Sequence, residues 1–311
     1  MLKVAPDYYP NFKCIASACK HNCCIGWEID IDEATADFYT RVEGALGKRL
    51  ADHISKTDPP YFILGENKRC PFLNKENLCD LILGLGEHHL CTVCARHPRF
   101  QNELPGRVES GLGLCCEAAA ALILGQSKPM RLKTEGRSRV QDQIIDLRDE
   151  LLALLQDRAQ SIPRRLTTML ERLGTVLPEK SPSQWATVLL SLERLEEEWT
   201  EKLTALQSTS FDLAAFDAYM APRQTEYENL AVYFLYRHFA NAPTLSDTPP
   251  RAAFAALAVE ILHALGAVHY ARFGSFTFAD QGEHARLFSA EIEYSDENFH
   301  ALLDLLYHRP L

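Results

Sequence analysis

The stretch Val140-Gln141-Asp142-Gln143-Ile144-Ile145-Asp146-Leu147-Arg148-Asp149-Glu150-Leu151-Leu152-Ala153-Leu154-Leu155 sets the fold class of this chain. Val140, Ile144, Leu147, Leu151 and Leu155 recur at spacings of three and four, the period of an amphipathic helix. The pattern then repeats downstream. Ser161 near a cap, Pro163 in a first turn and Gly174 just past an end bracket the next helix. Residues 183–207 continue with Trp185, Val188, Leu189, Leu192, Leu195 and Trp199, and further helices are expected at about 224–240, 250–272, 279–291 and 296–308. Strand-like alternation is scarce. The expected fold is mainly α, with an all-helical domain over 140–311.

Upstream the character changes. All ten cysteines lie between Cys14 and Cys116. Residues 1–125 read as an irregular, cysteine-rich metal-binding module with one clear helix at about Glu33 to Ile54. Trp27-Glu28-Ile29-Asp30-Ile31-Asp32 leads into it as a short strand or extended segment, with Asp32 as the cap. Residues 126–139, which include Lys128, Arg131, Lys133, Arg137 and Arg139, read as a linker or exposed loop.

The cysteines fall into three groups: Cys14-x4-Cys19-x3-Cys23-Cys24, then Cys70-x8-Cys79-x11-Cys91-x2-Cys94, then Cys115-Cys116. The opening Met1–Asp7 has no long apolar run, so no signal peptide is expected, and no stretch reads as a run of ~18–20 apolar residues that would span a membrane. The expected setting is therefore the reducing cytoplasm, where dense cysteines serve metal ligation or redox chemistry rather than disulfides. Thiolates are soft ligands that suit zinc, Cu(I) and iron–sulfur clusters. Cys91-x2-Cys94 has the look of a zinc half-site, but the other spacings are irregular, and clusters that draw on a local run plus distant residues suit them better. Only one member of each adjacent pair is expected to reach a metal directly. His21, His88, His89 and His97 lie among the thiols and are more often hydrogen-bonding neighbours than ligands. The net charge of −10, most of it after residue 125, argues against a nucleic-acid partner.

Phe12-Lys13-Cys14, Cys19, Cys23-Cys24, Gly26-Trp27 and Ile29-Asp30-Ile31-Asp32 together resemble the opening of the flagellin lysine-N-methylase (FliB) family. That family lies within a broader group with a cysteine-rich, zinc- or iron-chelating domain. The resemblance runs on through Cys70-Pro71-Phe72-Leu73, Leu78-Cys79, Leu85-Gly86-Glu87, Leu90-Cys91, Cys94, His97-Pro98-Arg99 and Cys115 to Leu124. It returns more loosely at Tyr227-Glu228-Asn229-Leu230, Tyr233-Phe234-Leu235 and Tyr294-Ser295-Asp296-Glu297-Asn298. The chain departs from the family where Leu114-Cys115-Cys116-Glu117 stands in place of Ser-Cys-Pro-Glu. Cys116 replaces the proline and is the least expected ligand. The candidate metal ligands are thus Cys14, Cys19, Cys23, Cys24, Cys70, Cys79, Cys91, Cys94 and Cys115.

The resemblance implies transfer of a methyl group from S-adenosylmethionine to lysine side chains of flagellin or another lysine-bearing protein. It also implies an iron–sulfur cluster, of the 4Fe-4S kind, with zinc as the alternative. Such transfer needs a lysine, ordinarily of pKa near 10.4, to lose its proton in an oriented, water-poor site. Candidates in the helical part are Glu228 and Asn229, which could hold an amine or cofactor hydroxyls, and Tyr233, which could bound an aromatic cage. Arg96, His97 and Arg99 are candidates for the cofactor's carboxylate or for tuning a cluster. Glu87 and Glu117 are candidates for the surroundings of the metal. Gly84-x-Gly86 and Gly111-x-Gly113 are too short for a dinucleotide-type loop. A noncatalytic metal adaptor or metallochaperone, or a redox-sensing protein, is the competing expectation.

Overall fold

Asp32 fixes where regular structure begins in the cysteine-bearing part. Its carboxylate accepts the Thr35 N–H and starts helix α1, Glu33–Tyr39. The single helix expected over 33–54 is instead two, for α2 spans Gly44–His53. The break has a local cause. Gly44 adopts a positive φ of 76°, and a Cβ on Gly47 would overlap the Val42 carbonyl oxygen, so the connection folds back onto α2 at a point where only glycine fits. Helix α3, Asp80–Leu85, stops at Gly86, and α4 is the short Thr92–Arg96. The extended lead-in before α1 pairs Asp30 with Tyr61, and Ile54 bridges to Phe62.

The computed structural model describes residues 1–307, and these divide into two compact units. One is Lys13–Phe100. Its core joins Ile29, Ile31, Tyr39, Leu50, Phe62, Phe72 and Leu81 to the thiols of Cys70 and Cys91. The other takes Met1–Phe12 together with the chain from Gln101 onward. The boundaries expected at 125 and 139 therefore differ from these divisions.

The second unit carries a four-stranded sheet. Strands β1 (Leu2–Pro6), β2 (Arg99–Leu104), β3 (Arg107–Leu112) and β4 (Leu132–Glu135) lie in the order β2-β3-β1-β4. Leu2 to Val4 run parallel to Arg107 to Glu109, and Lys3 to Pro6 run antiparallel to Glu135 to Leu132. All four strands lie before residue 140, so the all-helical domain expected over 140–311 holds no strand among the described residues, whereas the expected linker 126–139 holds β4. Each strand here is only four to six residues long. β4 finds its partner at the far end of the chain, which no local pattern reveals.

Helices follow, most of them in the expected places, but the run over 183–207 is split in two and α5 and α10 were not expected. They are α5 (Glu117–Leu124), α6 (Gln143–Leu155), α7 (Ile162–Arg172), α8 (Pro182–Leu190), α9 (Glu197–Ser208), α10 (Leu213–Met220), α11 (Gln224–His238), α12 (Thr248–Phe273), α13 (Phe278–Phe288) and α14 (Asp296–Leu306). The last was expected to reach 308, a residue that lies outside those described. In α6 the buried face is Ile145, Arg148, Leu151, Leu152 and Leu155, while Val140 is exposed. α11 is buried on every side from Glu226 to His238 and packs against α12. In α12, Ala252, Ala253, Ala255, Ala256 and Ala258 keep side-chain bulk low where neighbouring helices approach. α12 is, by length and composition, long and apolar enough to cross a membrane, contrary to the expectation from sequence, yet 83% of its apolar window is buried inside the fold. That burial is the mark of a core helix.

Candidate metal centre

Four separate segments bring five thiols to the core of the Lys13–Phe100 unit and set a sixth, Cys23, beside Cys24. The Cys70 N–H bonds to the Cys24 carbonyl at 2.8 Å and Ile25 bridges to Arg69, so the first and second cysteine groups run side by side. Leu73 bridges to Cys79, which returns the chain to Cys70. Cys91 occupies the N-cap position of α4 and Cys94 lies within it. Cys70 and Cys91 are buried, whereas Cys24, Cys79 and Cys94 are half-buried and Cys23 is exposed.

The thiols interact as two pairs. Cys24 hydrogen-bonds Cys23, which holds the Cys23 thiol down at about 7 despite its partial burial. Cys24 is pushed far up, first by giving its proton to that bond, then by burial and by the charges that Cys23, Cys70 and Cys79 would carry. Cys94 and Cys91 repeat the arrangement: the bond from Cys94 lowers Cys91, and Cys94 rises through that bond, burial and the nearness of Cys91, Cys24 and Cys70. Burial pushes Cys70 up to about 11 and raises Cys79. The six sulfurs therefore feel one another's charge, and no more than two of them ionise readily. Ligation deprotonates thiols, so a soft cation would relieve this mutual repulsion. Among the described residues, no three His, Cys, Asp or Glu side chains form a ready-made metal-holding group. The donor type and the convergence fit a thiophilic metal or cluster, and Cys23, Cys24, Cys70, Cys79, Cys91 and Cys94 are the residues that would hold it.

The other candidate ligands are placed elsewhere. The Cys14 sulfur accepts the Ala16 N–H at 3.4 Å, and Cys19 donates to the His21 carbonyl at 3.2 Å. Cys115 belongs to the other compact unit, where burial pushes its thiol up to about 12 against the opposing pull of a Tyr294 hydrogen bond and Arg237. Cys116 caps α5, and Glu117 is the first residue of that helix. His88 and His89 share a short turn with Glu87, and the His89 ring stacks on Phe38. Arg96 ends α4 and Arg99 opens β2, both exposed. His97 tilts against the Trp27 ring at 5.9 Å, and burial holds its pKa down at about 4, so it is neutral at pH 7.

Glu228, Asn229 and Tyr233 lie on α11 and point into the protein's own interior. Glu228 is paired with Arg158 at 2.9 Å and with Arg165 at 2.7 Å. The Asn229 amide donates to the Leu124 and Gln126 carbonyls at 3.0 and 2.9 Å, stitching α11 to the end of α5. The Tyr233 hydroxyl accepts from the Leu114 N–H at 3.1 Å and from Arg237 at 2.6 Å, and donates to Glu293. His238 meets the same Glu293 at 2.5 Å. Burial favours protonation of Glu293, but Arg237 and His238 outweigh it and keep the carboxyl below its ordinary range. The Tyr294 ring lies 4.7 Å from the Arg237 guanidinium. Segments around Cys115, Tyr233 and Tyr294, far apart in sequence, thus meet in one buried polar network. Sequence reasoning missed its centre, Glu293, which stands one residue before a motif it did single out. It also missed the buried pair of Arg148 with Glu109. Arg148 on the apolar face of α6 was the available signal.

No family model and no solved structure matches the chain. It is 30% identical over 134 residues to the lysine-N-methylases of Salmonella choleraesuis (strain SC-B67) and Salmonella typhimurium, a match that covers 41% of this chain and 33% of each of theirs. The chain thus spans about a third of the length of these curated relatives. It is 30% identical over 134 residues to the flagellar biosynthetic protein FliU of Salmonella muenchen, where the match covers 79% of that protein. With that much of FliU covered at 30% identity, the chain belongs to the lysine-N-methylase and FliU (FliB) family.

Proposed function

We propose that this protein is an S-adenosylmethionine-dependent protein-lysine N-methyltransferase, acting on flagellin or another lysine-bearing protein, with an iron–sulfur cluster held in the six-thiol core. The observation that carries the reading is the convergence of six thiols in a chain whose curated relatives are named lysine-N-methylases. The cluster would be held by soft sulfur donors from four segments, and it would supply either a rigid cross-link or a means of binding and activating the methyl donor. This chain's own residues would set its surroundings: Trp27 packs against the same core and meets the neutral His97 ring, and Phe62, Phe72 and Leu81 keep that core apolar.

A second reading, a metal-dependent adaptor or thiol-based redox protein without transferase activity, is favoured by one fact. Glu228, Asn229 and Tyr233 already have internal partners and so lack an obvious free function toward a substrate. Anaerobically purified protein, incubated with methyl-labelled S-adenosylmethionine and flagellin or a lysine-rich test protein, separates the two. Label in lysine, together with iron and acid-labile sulfide in the protein, is expected, and Cys91→Ala or Cys94→Ala should lose the metal while Cys116→Ala keeps it. Full metal content with neither donor binding nor transfer would assign the adaptor role. Zinc without sulfide would replace the cluster in the proposal.

A further inference from the structure

Helix α1 carries no cysteine, yet it grips the segment that bears Cys91 at both ends. At its start, one oxygen of Asp32 accepts the Thr35 N–H at 3.1 Å and the Thr35 hydroxyl at 2.9 Å. The other oxygen accepts the Thr92 N–H at 2.8 Å. Thr92 is the first residue of α4, and Cys91, which occupies the capping position, makes no capping bond with its own side chain. A helix of five residues is too short to persist unaided. Its exposed N–H groups need an acceptor, and a carboxylate suits the positive end of the helix dipole. Asp32 therefore caps two helices with one carboxylate. At the other end of α1, Tyr39 donates its hydroxyl to the His89 carbonyl at 2.8 Å, and Phe38 stacks on the His89 ring at 4.3 Å with the planes 5° apart. Between these two anchors Cys91 is fully buried.

We infer that α1 is a splint that presets Cys91 and Cys94 for a soft cation, with Asp32 and Tyr39 as its positioning residues. The positioning role rests on the reading of the thiol core as a metal centre, whereas the hold on Cys91 stands on the contacts alone. Asp32→Asn keeps an acceptor oxygen for α1 but turns an N–H group toward Thr92, so it releases α4 while preserving the first cap. Tyr39→Phe removes only the hydroxyl. In the reduced, metal-free chain, alkylation by N-ethylmaleimide is followed cysteine by cysteine by mass spectrometry. Both variants should speed labelling of Cys91 and Cys94 about tenfold, the scale of one lost hydrogen bond to a charged or buried partner, while Cys70 and Cys79 change less than about twofold. Titration with Co²⁺ alone, read by its thiolate charge-transfer absorption, should need about tenfold more Co²⁺ for saturation. Equal acceleration at every cysteine, or none, would overturn the splint. Faster labelling with unchanged Co²⁺ affinity would overturn the positioning role. A wild-type chain that gives no Co²⁺–thiolate band, while Cys91 is still released in the variants, would overturn the metal reading and leave the splint standing.

Discussion

Glu228 sits between two guanidinium groups with its carboxylate almost wholly out of water. Arg165 beside it is 6% exposed, whereas Arg158 is 38% exposed, and the difference decides what each is worth. Glu228→Gln strands a buried Arg165, and the expected cost is about 3–5 kcal/mol in urea unfolding. Arg158→Ala should cost about 1 kcal/mol or less, because water takes over its role. Should Glu228→Gln abolish methyl transfer at undiminished stability, the carboxylate works on substrate rather than on the fold. The sequence marked Glu228, Asn229 and Tyr233 because they lie in a family-like segment and carry groups that could hold an amine or bound an aromatic cage. What it did not show is that α11 has no solvent face from Glu226 to His238, so every polar group there must find an internal partner. Polarity was legible and destination was not.

At the scale of elements, boundaries that depart from periodicity have two kinds of cause, local at Gly44 and distant after α8. The run expected over 183–207 is broken between α8 and α9, and the break is held by groups from the end of the chain. Glu291, in the π-helical turn after α13, accepts the Leu195 and Glu196 N–H groups at 2.9 and 2.6 Å. Asn298 bonds both the N–H and the carbonyl of Glu193. The Glu196 side chain does not cap α9, and Glu291 instead holds the backbone that leads into it. Burial raises the Glu291 pKa against the pull of these N–H groups. Glu291→Gln should cost about 1–2 kcal/mol, comparable with a lost N-cap, and amide hydrogen exchange should quicken first in the opening turn of α9. Exchange that quickens uniformly along α9 would show that Glu291 supports packing rather than the cap. Asp32 does the same for α4. By contrast, Ser161 and Ser181 cap α7 and α8 from the adjacent position, and the first of these was readable because the bond is local.

For the molecule as a whole, the two compact units should respond differently to metal. On the proposed metal reading, removing the metal anaerobically with a chelator should destabilise Lys13–Phe100 by several kcal/mol, because ligand binding there would be part of folding, and leave the helical transition in place. Calorimetry of the loaded and stripped chain checks this, and a common shift of both transitions would contradict it. The sequence by itself determined the mainly helical character, most helix positions after residue 140, and the role of Asp32 as a helix start, since periodicity and local caps act over a few residues. It also singled out the cysteines as candidate ligands, because their density has no ordinary packing explanation. Tertiary structure alone decided which thiols meet, that Cys115 joins a different unit from Cys91, that β4 pairs with the first strand, and that Asp32 reaches Thr92. These depend on contacts that cross between separate segments, Asp32 to Thr92 and β1 to β4 among them, where a side chain's hydrogen-bonding choice is set by what the fold carries to it and no spacing along the chain encodes the outcome.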